Sequence, residues 1–196
     1  PDYFATYPRP ELGDFLFKDA NGDGKLDAED RVEVGHGTLP RLTYGIHLGA
    51  SYNGFDFNMM LQGTGNNPVY YNNQAFRFVT VMGQSLNKDI TDNAWTPENA
   101  YDSKYPVLRN SSNDKNNISS DAFVHNAAYL RCKNIQLGYT LPAHITRKFF
   151  VEKLKIYSSI DNLFTITKFP GLDPEVADNV GYPTVRQYSV GINVSF

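Results

Sequence analysis

The sequence predicts an all-β chain of about five antiparallel strands, joined by loops of very unequal length, in the two-faced form that a lipid-facing barrel uses. Three observations predict it. Apolar and polar residues alternate with a period of two along several segments, which is the side-chain repeat of a pleated strand. Aromatic residues are abundant, at 13 Tyr, 13 Phe and one Trp in 196 residues, yet only 41% of the chain is hydrophobic, so the rings are interleaved with polar residues. The alternating segments are also separated by connections that are either minimal or long and polar.

Residues 42–52 place Leu42, Tyr44, Ile46, Leu48, Ala50 and Tyr52 on one face, with Thr43, Gly45, His47, Gly49 and Ser51 on the other. Asn53-Gly54 follows, and because both residues tolerate positive φ this pair is the strongest short-range hairpin signal. Residues 55–62 return with Phe55, Phe57, Met59 and Leu61 opposite Asp56, Asn58, Met60 and Gln62. A third strand, Tyr129 to Leu141, sets Ile135, Leu137, Tyr139 and Leu141 against Asn134, Gln136, Gly138 and Thr140. Pro142 ends it, since proline cannot donate to a ladder. A fourth, Leu154 to Ile166, alternates less cleanly: Leu154, Ile156 and Ile160 oppose Lys155, Ser159 and Asp161. The fifth alternates Tyr188, Val190, Ile192, Val194 and Phe196 with Gln187, Ser189, Gly191, Asn193 and Ser195.

The link from Pro142 to Lys153 is moderate and has room for one helical turn in which Ile145 and Phe149 share a face. The link from Gly63 to Ala128 is long and rich in Asn, Asp, Ser and Tyr, which is uncommon inside a compact domain and counts against a plain sandwich. An outer-membrane barrel accommodates it, with short periplasmic turns alternating with long extracellular loops. On this basis residues 1–40 are expected to form an extracellular loop segment. Residues 41–196 are expected to hold the barrel strands, with a long extracellular loop at 63–128 and a terminal strand ending on the periplasmic side.

Composition narrows the function. A net charge of −3, from 18 Lys+Arg against 21 Asp+Glu, argues against nucleic-acid binding, which needs a basic surplus on one face. The single cysteine, Cys132, excludes an internal disulfide framework and a multi-cysteine zinc site. No apolar run approaches the roughly 18 to 20 residues of a membrane helix, which leaves a strand-built span open. The chain begins at Pro1 without a signal-peptide pattern and is expected to be a mature chain or an internal piece.

The sharpest local motif runs from Asp19 to Asp30. Oxygen donors stand at loop positions one, three and five (Asp19, Asn21, Asp23), glycine at six (Gly24) and an apolar residue at eight (Leu26). This spacing wraps a chain around a hard cation, with the Lys25 carbonyl donating at seven and a carboxylate, here Asp30, closing the shell at twelve. Calcium is the expected ion. Asp in place of Glu at twelve shortens the reach, as in dockerin-type loops, and the competing expectation is an Asx-rich turn that binds nothing. No helix pair flanks the loop, so its expected role is to stiffen rather than to switch.

No catalytic constellation is present. His36, His47, His125 and His144 are scattered singly without ligand spacing, and GxSxG, HExxH, P-loop and GxGxxG sequences are missing. Cys132 reads as a packed thiol. Trp95, Tyr70, Tyr71, Tyr101 and Tyr105 are expected to fill the long loop's own small core; the alternative is stacking on sugar or meeting a partner.

Several stretches together carry a resemblance. They are Phe17-Lys18-Asp19-Ala20-Asn21-Gly22-Asp23-Gly24, Tyr44-Gly45 with Tyr52-Asn53-Gly54-Phe55-Asp56, Trp95-Thr96-Pro97-Glu98-Asn99, the run from Tyr129 to Pro142, Asn162-Leu163-Phe164-Thr165, Gly171-Leu172-Asp173-Pro174-Glu175 and Val194-Ser195-Phe196. In this order the set resembles the C-terminal end of SusC/RagA-type TonB-dependent outer-membrane transporters of Bacteroidetes. Cys132 departs from the aliphatic residue expected there, with no functional consequence. The resemblance implies the C-terminal portion of a large transmembrane β-barrel, plugged, importing oligosaccharides or peptides, capped by a SusD-like surface lipoprotein and energised by TonB in the cell outer membrane. Such barrels have about 22 strands, and about five cannot close even the smallest known barrel of about eight. The plug and the TonB-contacting segment would then lie upstream. Phe196 resembles the terminal aromatic by which the assembly machinery recognises outer-membrane proteins.

The competing expectation is a soluble calcium-stabilised β-sandwich that binds glycans through its aromatics; an enzyme ranks well behind both. The strand faces discriminate, because a sandwich buries its apolar face whereas a barrel presents it to lipid.

Overall fold

The computed structural model of the chain describes residues 9–35, 39–72, 78–80, 86–110, 115–176, 182 and 184–196. In chain order it contains β1 (Leu42–Tyr52), β2 (Phe55–Gly65), β3 (Pro68–Tyr70), β4 (Val79–Thr80), α1 (Lys88–Asn93), β5 (Arg109–Asn110), β6 (Val124–Asn126), β7 (Tyr129–Thr140), α2 (Ala143–Thr146), β8 (Lys153–Asp161), β9 (Thr165–Thr167) and β10 (Gln187–Ser195). The main sheet has the order β1-β2-β7-β8-β10, with β9 beside β7, and every pairing in it is antiparallel. The chain clusters into two units, residues 1–35 with 70–124 and residues 36–69 with 125–196, the second holding the main sheet.

The hairpin forms where Asn53-Gly54 places it. Asn53 at φ 48° and Gly54 at φ 85° give the left-handed pair of a tight turn, and Leu42 to Tyr52 pair in unbroken register with Gly65 to Phe55. Gly54 is also needed for close approach, since a Cβ there would stand 2.7 Å from the Thr140 carbonyl oxygen. β2 continues to Gly65, further than the alternation through Gln62 indicated. The reason is Tyr44, whose hydroxyl donates to the Tyr129 carbonyl at 3.1 Å and whose ring fills the space that a side chain at Gly63 would need.

Partners in the ladder share a face, so the registers join the alternating strands into one two-sided wall. On the apolar side Leu48 pairs with Met59, Met59 with Ile135, Ile135 with Ile160, and Ile160 with Tyr188. On the polar side Gly49 pairs with Asn58, Asn58 with Gln136, Gln136 with Ser159, and Ser159 with Ser189. The apolar side stays open: Leu48 is 46% and Ile192 65% exposed. Among the described residues the other sheets are two-stranded, β3 with β6 and β4 with β5. A sandwich would bury this face, so the structure sets that alternative aside.

The uneven fourth segment is resolved into two strands. Asn162, at φ 53°, breaks the extended chain after Asp161, and β9 resumes at Thr165. β7 pairs Asn134 with Asp161 and Arg131 with Thr165, so Asn162, Leu163 and Phe164 stand against only Cys132 and Lys133. On its other edge β7 pairs Asn134 with Met60 but Cys132 with Leu61, which leaves Lys133 as an extra residue. A bulge of this kind inverts the phase of a strand. Towards the tight turn the even-numbered Asn134, Gln136 and Gly138 occupy the polar face; beyond the bulge, Arg131 and Tyr129 occupy it, opposite Gln62 and Thr64.

The link after Pro142 contains the expected helical turn, α2, extended by a 3-10 turn over Arg147–Phe149. In the first unit, Phe78 stands at the centre of a small aromatic core, with ring centroids 5.5 Å from Phe15, 5.3 Å from Phe123 and 5.7 Å from Tyr105. Asn116, fully buried, accepts from the Phe15 N–H and donates to Asp14 and to the Val107 carbonyl, and Arg109 donates to Asp14 and Glu11. Residues 11–15 are thereby tied to a stretch about a hundred positions later in the sequence.

Candidate functional site

The polar face of the sheet is built from amides, hydroxyls and glycines, and it carries an ion pair. Lys155 donates to Asp56 at 2.8 Å across Gly138, where a Cβ would stand 2.5 Å from the lysine Cε, and Asn134 donates to Asp161 at 2.7 Å. The opposite face carries Leu, Ile, Val, Phe and Met side chains.

Asp19 to Asp30 folds as a series of Asx turns around Gly22 and Gly24, both at φ 79°. Asp19 accepts from the Gly22 and Gly24 N–H groups (2.6 and 2.8 Å), Asn21 from Asp23 (2.9 Å), and Asp23 from Lys25 (2.8 Å). Asp30 accepts from Asp27 and Ala20, both at 2.8 Å. These N–H groups hold the Asp30 carboxyl below the ordinary carboxylate range. Leu26 is buried and anchors the turn. Three carboxylates, one amide and the Lys25 carbonyl are hard oxygen donors of the kind calcium takes. Among the described residues no three His, Cys, Asp or Glu side chains converge into a metal-holding group, and in this structure the loop's oxygens face its own amides.

The loop aromatics do fill a core of their own for the most part. Tyr71 is buried, Tyr105 packs on Phe78, and the Trp95 ring lies against Gly13; Tyr101 is fully exposed and Tyr70 partly so. Cys132 is buried. His36 lies outside the described residues, and Phe196, one position beyond β10, is 90% exposed.

Sequence reasoning missed a buried ionic cluster at the N-terminal half of β7. The Arg131 side chain, 3% exposed, donates through Nη2 to Asp173 (2.7 Å), through Nη1 to Glu175 (2.8 Å) and Thr184 (3.0 Å), and through Nε to Thr165 (2.8 Å). Glu175 also accepts from the Tyr129 hydroxyl at 2.7 Å and from Lys133. Asp173 accepts from the Thr184 N–H and hydroxyl and from the Glu175 N–H. Burial pushes the Asp173 carboxyl up, but the hydrogen bonds from Thr184, Arg131 and these backbone amides outweigh it and bring the pKa to about 2. The available signal was an arginine inside a strand together with Asp173-Pro174-Glu175 in a loop.

An antiparallel sheet with one continuous apolar face left open and one amide-lined face is a section of the wall of a transmembrane β-barrel. Over nearly its whole length the chain is homologous to SusC/RagA-type TonB-dependent receptors. It is 30% identical over 203 residues to TonB-dependent receptor P3 of Formosa agariphila, covering 94% of this chain and 19% of that protein. It is 28% identical over 186 residues to TonB-dependent receptor SusC of Bacteroides thetaiotaomicron, covering 92% of this chain and 17% of that one. Among solved structures it matches the RagAB peptide transporter with a TM-score of 0.71 at 28% identity, over 88% of this chain and 19% of that one. The RagAB peptide importer in its open-open state gives a TM-score of 0.64. The chain therefore spans about a fifth of the length of these relatives. No family model matches it. The matched proteins are receptors and transporters rather than enzymes.

Proposed function

We propose that this chain forms part of the wall and extracellular rim of a TonB-dependent outer-membrane importer of oligosaccharides or peptides that works with a SusD-like lipoprotein. The observation that carries this is the homology over 94% of the chain, joined to a sheet whose apolar face is exposed at Leu48, Phe55, Leu137, Ile156 and Ile192, one on each of its five long strands. The apolar face then lies in the lipid of the outer membrane and the amide-lined face in the barrel interior. The Asn53-Gly54 turn is periplasmic and the loops before β1, after β2 and after β9 are extracellular. The plug and the TonB-contacting segment belong to other parts of the polypeptide. In the rim, Asp19, Asn21, Asp23, the Lys25 carbonyl and Asp30 hold calcium, which stiffens the loop by replacing the amide partners of its carboxylates.

The test is made on the full-length protein in its own cells. Deleting the gene should abolish uptake of one oligosaccharide or peptide class, and the tagged protein should fractionate with the outer membrane together with a surface lipoprotein. Recovery in a soluble fraction would overturn the proposal.

A further inference from the structure

We infer that the segment Phe169–Val176, fastened by Thr184, is a fixed shelf over the polar face of β7 rather than a moving lid, and that Arg131 is its positioning residue. The inference rests on assigning that polar face to the barrel interior. Arg131 reaches it only because the extra residue Lys133 inverts the phase of β7.

Three attachments hold the segment along its length. At its start, Phe169 is buried and its N–H donates to the Thr167 hydroxyl, which itself donates to the Ala128 carbonyl. In the middle, Asp173 and Glu175 take separate guanidinium nitrogens of Arg131. At the far end Thr184, eleven positions after Asp173, closes back on the same carboxylate through both its N–H and its hydroxyl. The side chains of Arg131 and Asp173 are 3% and 4% exposed. Lifting the segment would uncover a buried guanidinium and two carboxylates at once, and a buried ion pair opened on one side leaves its partner charge uncompensated. A lid that opens in each transport cycle draws instead on weakly held, solvent-exposed contacts. The shelf is therefore part of the rigid rim and narrows the passage at the loop end of the wall.

Hydrogen exchange by mass spectrometry on the full-length transporter in native outer membranes tests this. The hydrogen-bonded amides of the segment, those of Phe169, Glu175 and Val176, should exchange as slowly as those of the N-terminal half of β7. Thr184→Ala leaves both ion pairs in place but removes the hydroxyl, and it should speed exchange of the segment about tenfold while β1 and β2 stay unchanged. Thr184→Ser should restore protection, which a general loss of structure would not allow. Rapid exchange of the segment in the unaltered protein, with β1 and β2 protected, would overturn the shelf alone. Rapid exchange in β1 and β2 as well would overturn the barrel assignment beneath it.

Discussion

The Tyr157 ring occupies the space that a side chain at Gly191 would need. The two residues face each other across β8 and β10, and a Cβ on Gly191 would stand 2.5 Å from the Tyr157 hydroxyl oxygen and 2.8 Å from its Cε1. The flanking pairs on that face, Ser159 with Ser189 and Lys155 with Asn193, carry side chains on both strands. A slip of two residues would drive the ring into Ser189 or Asn193, and a slip of one would exchange the faces. The pair thus pins the register of β10.

Gly191→Val should destabilise the full-length barrel by about 1 to 3 kcal/mol through overpacking, and adding Tyr157→Ala should recover part of the loss. Urea titration in lipid vesicles measures both. If the double variant is as unstable as the sum of the single ones, the register role of this pair is wrong.

The two faces should meet different solvents. Spin labels at Leu48 and Ile192 should be relaxed by a lipid-soluble quencher, and labels at His47 and Asn193 by a water-soluble one; Gly191 is unsuitable because Tyr157 fills its space. The reverse pattern would refute the barrel orientation.

The alternation from Tyr188 to Val194 was legible in the sequence because β10 pairs with β8 in unbroken register and both its faces are chemically uniform. The N-terminal half of β7 was not, because the bulge at Lys133 changes which parity occupies the polar face, and a period-two count cannot contain an extra residue. The ends of β2 were obscured for a different reason: Gly63 and Gly65 read as loop until Tyr44 is seen covering the first of them. The Arg131 cluster joins residues up to 53 positions apart, and the bonds from Asn116 reach 102 positions. Such pairings follow from the path of the loops, on which local residue patterns are silent.

Isothermal calorimetry on the full-length protein should show a calcium heat that chelation abolishes and Asp23→Ala removes, without a change in β content. Retention of the full heat in Asp23→Ala would place the ion elsewhere.

Acid should loosen the Asp173 attachment. Its carboxyl titrates at about 2 when folded against an ordinary value of 3.8, so its stabilisation is fully present above about pH 4 and is lost as the pH falls towards 2. The shift corresponds to about 2 kcal/mol. Unfolding titrations from pH 6 to pH 2 should show Asp173→Asn less stable than the unaltered protein at pH 6, with the gap closing below pH 4. A gap that stays constant over that range would mean that another group carries the acid sensitivity.

Lys133 works on β7 as a single inserted letter works on a reading frame. Every residue on its N-terminal side, from Cys132 back to Tyr129, is displayed on the side opposite to the one that unbroken alternation would assign. Were Lys133 held in the ladder opposite Leu61 instead of bulged out of it, Cys132 would meet Gln62 and the Arg131 guanidinium would turn outwards to lipid, where a charge costs about 2 to 4 kcal/mol at the bilayer midplane and less towards the interface. It would also strand the Asp173 and Glu175 carboxylates without their cation. In this wall the length of a strand, counted to the residue, decides which solvent a charge meets.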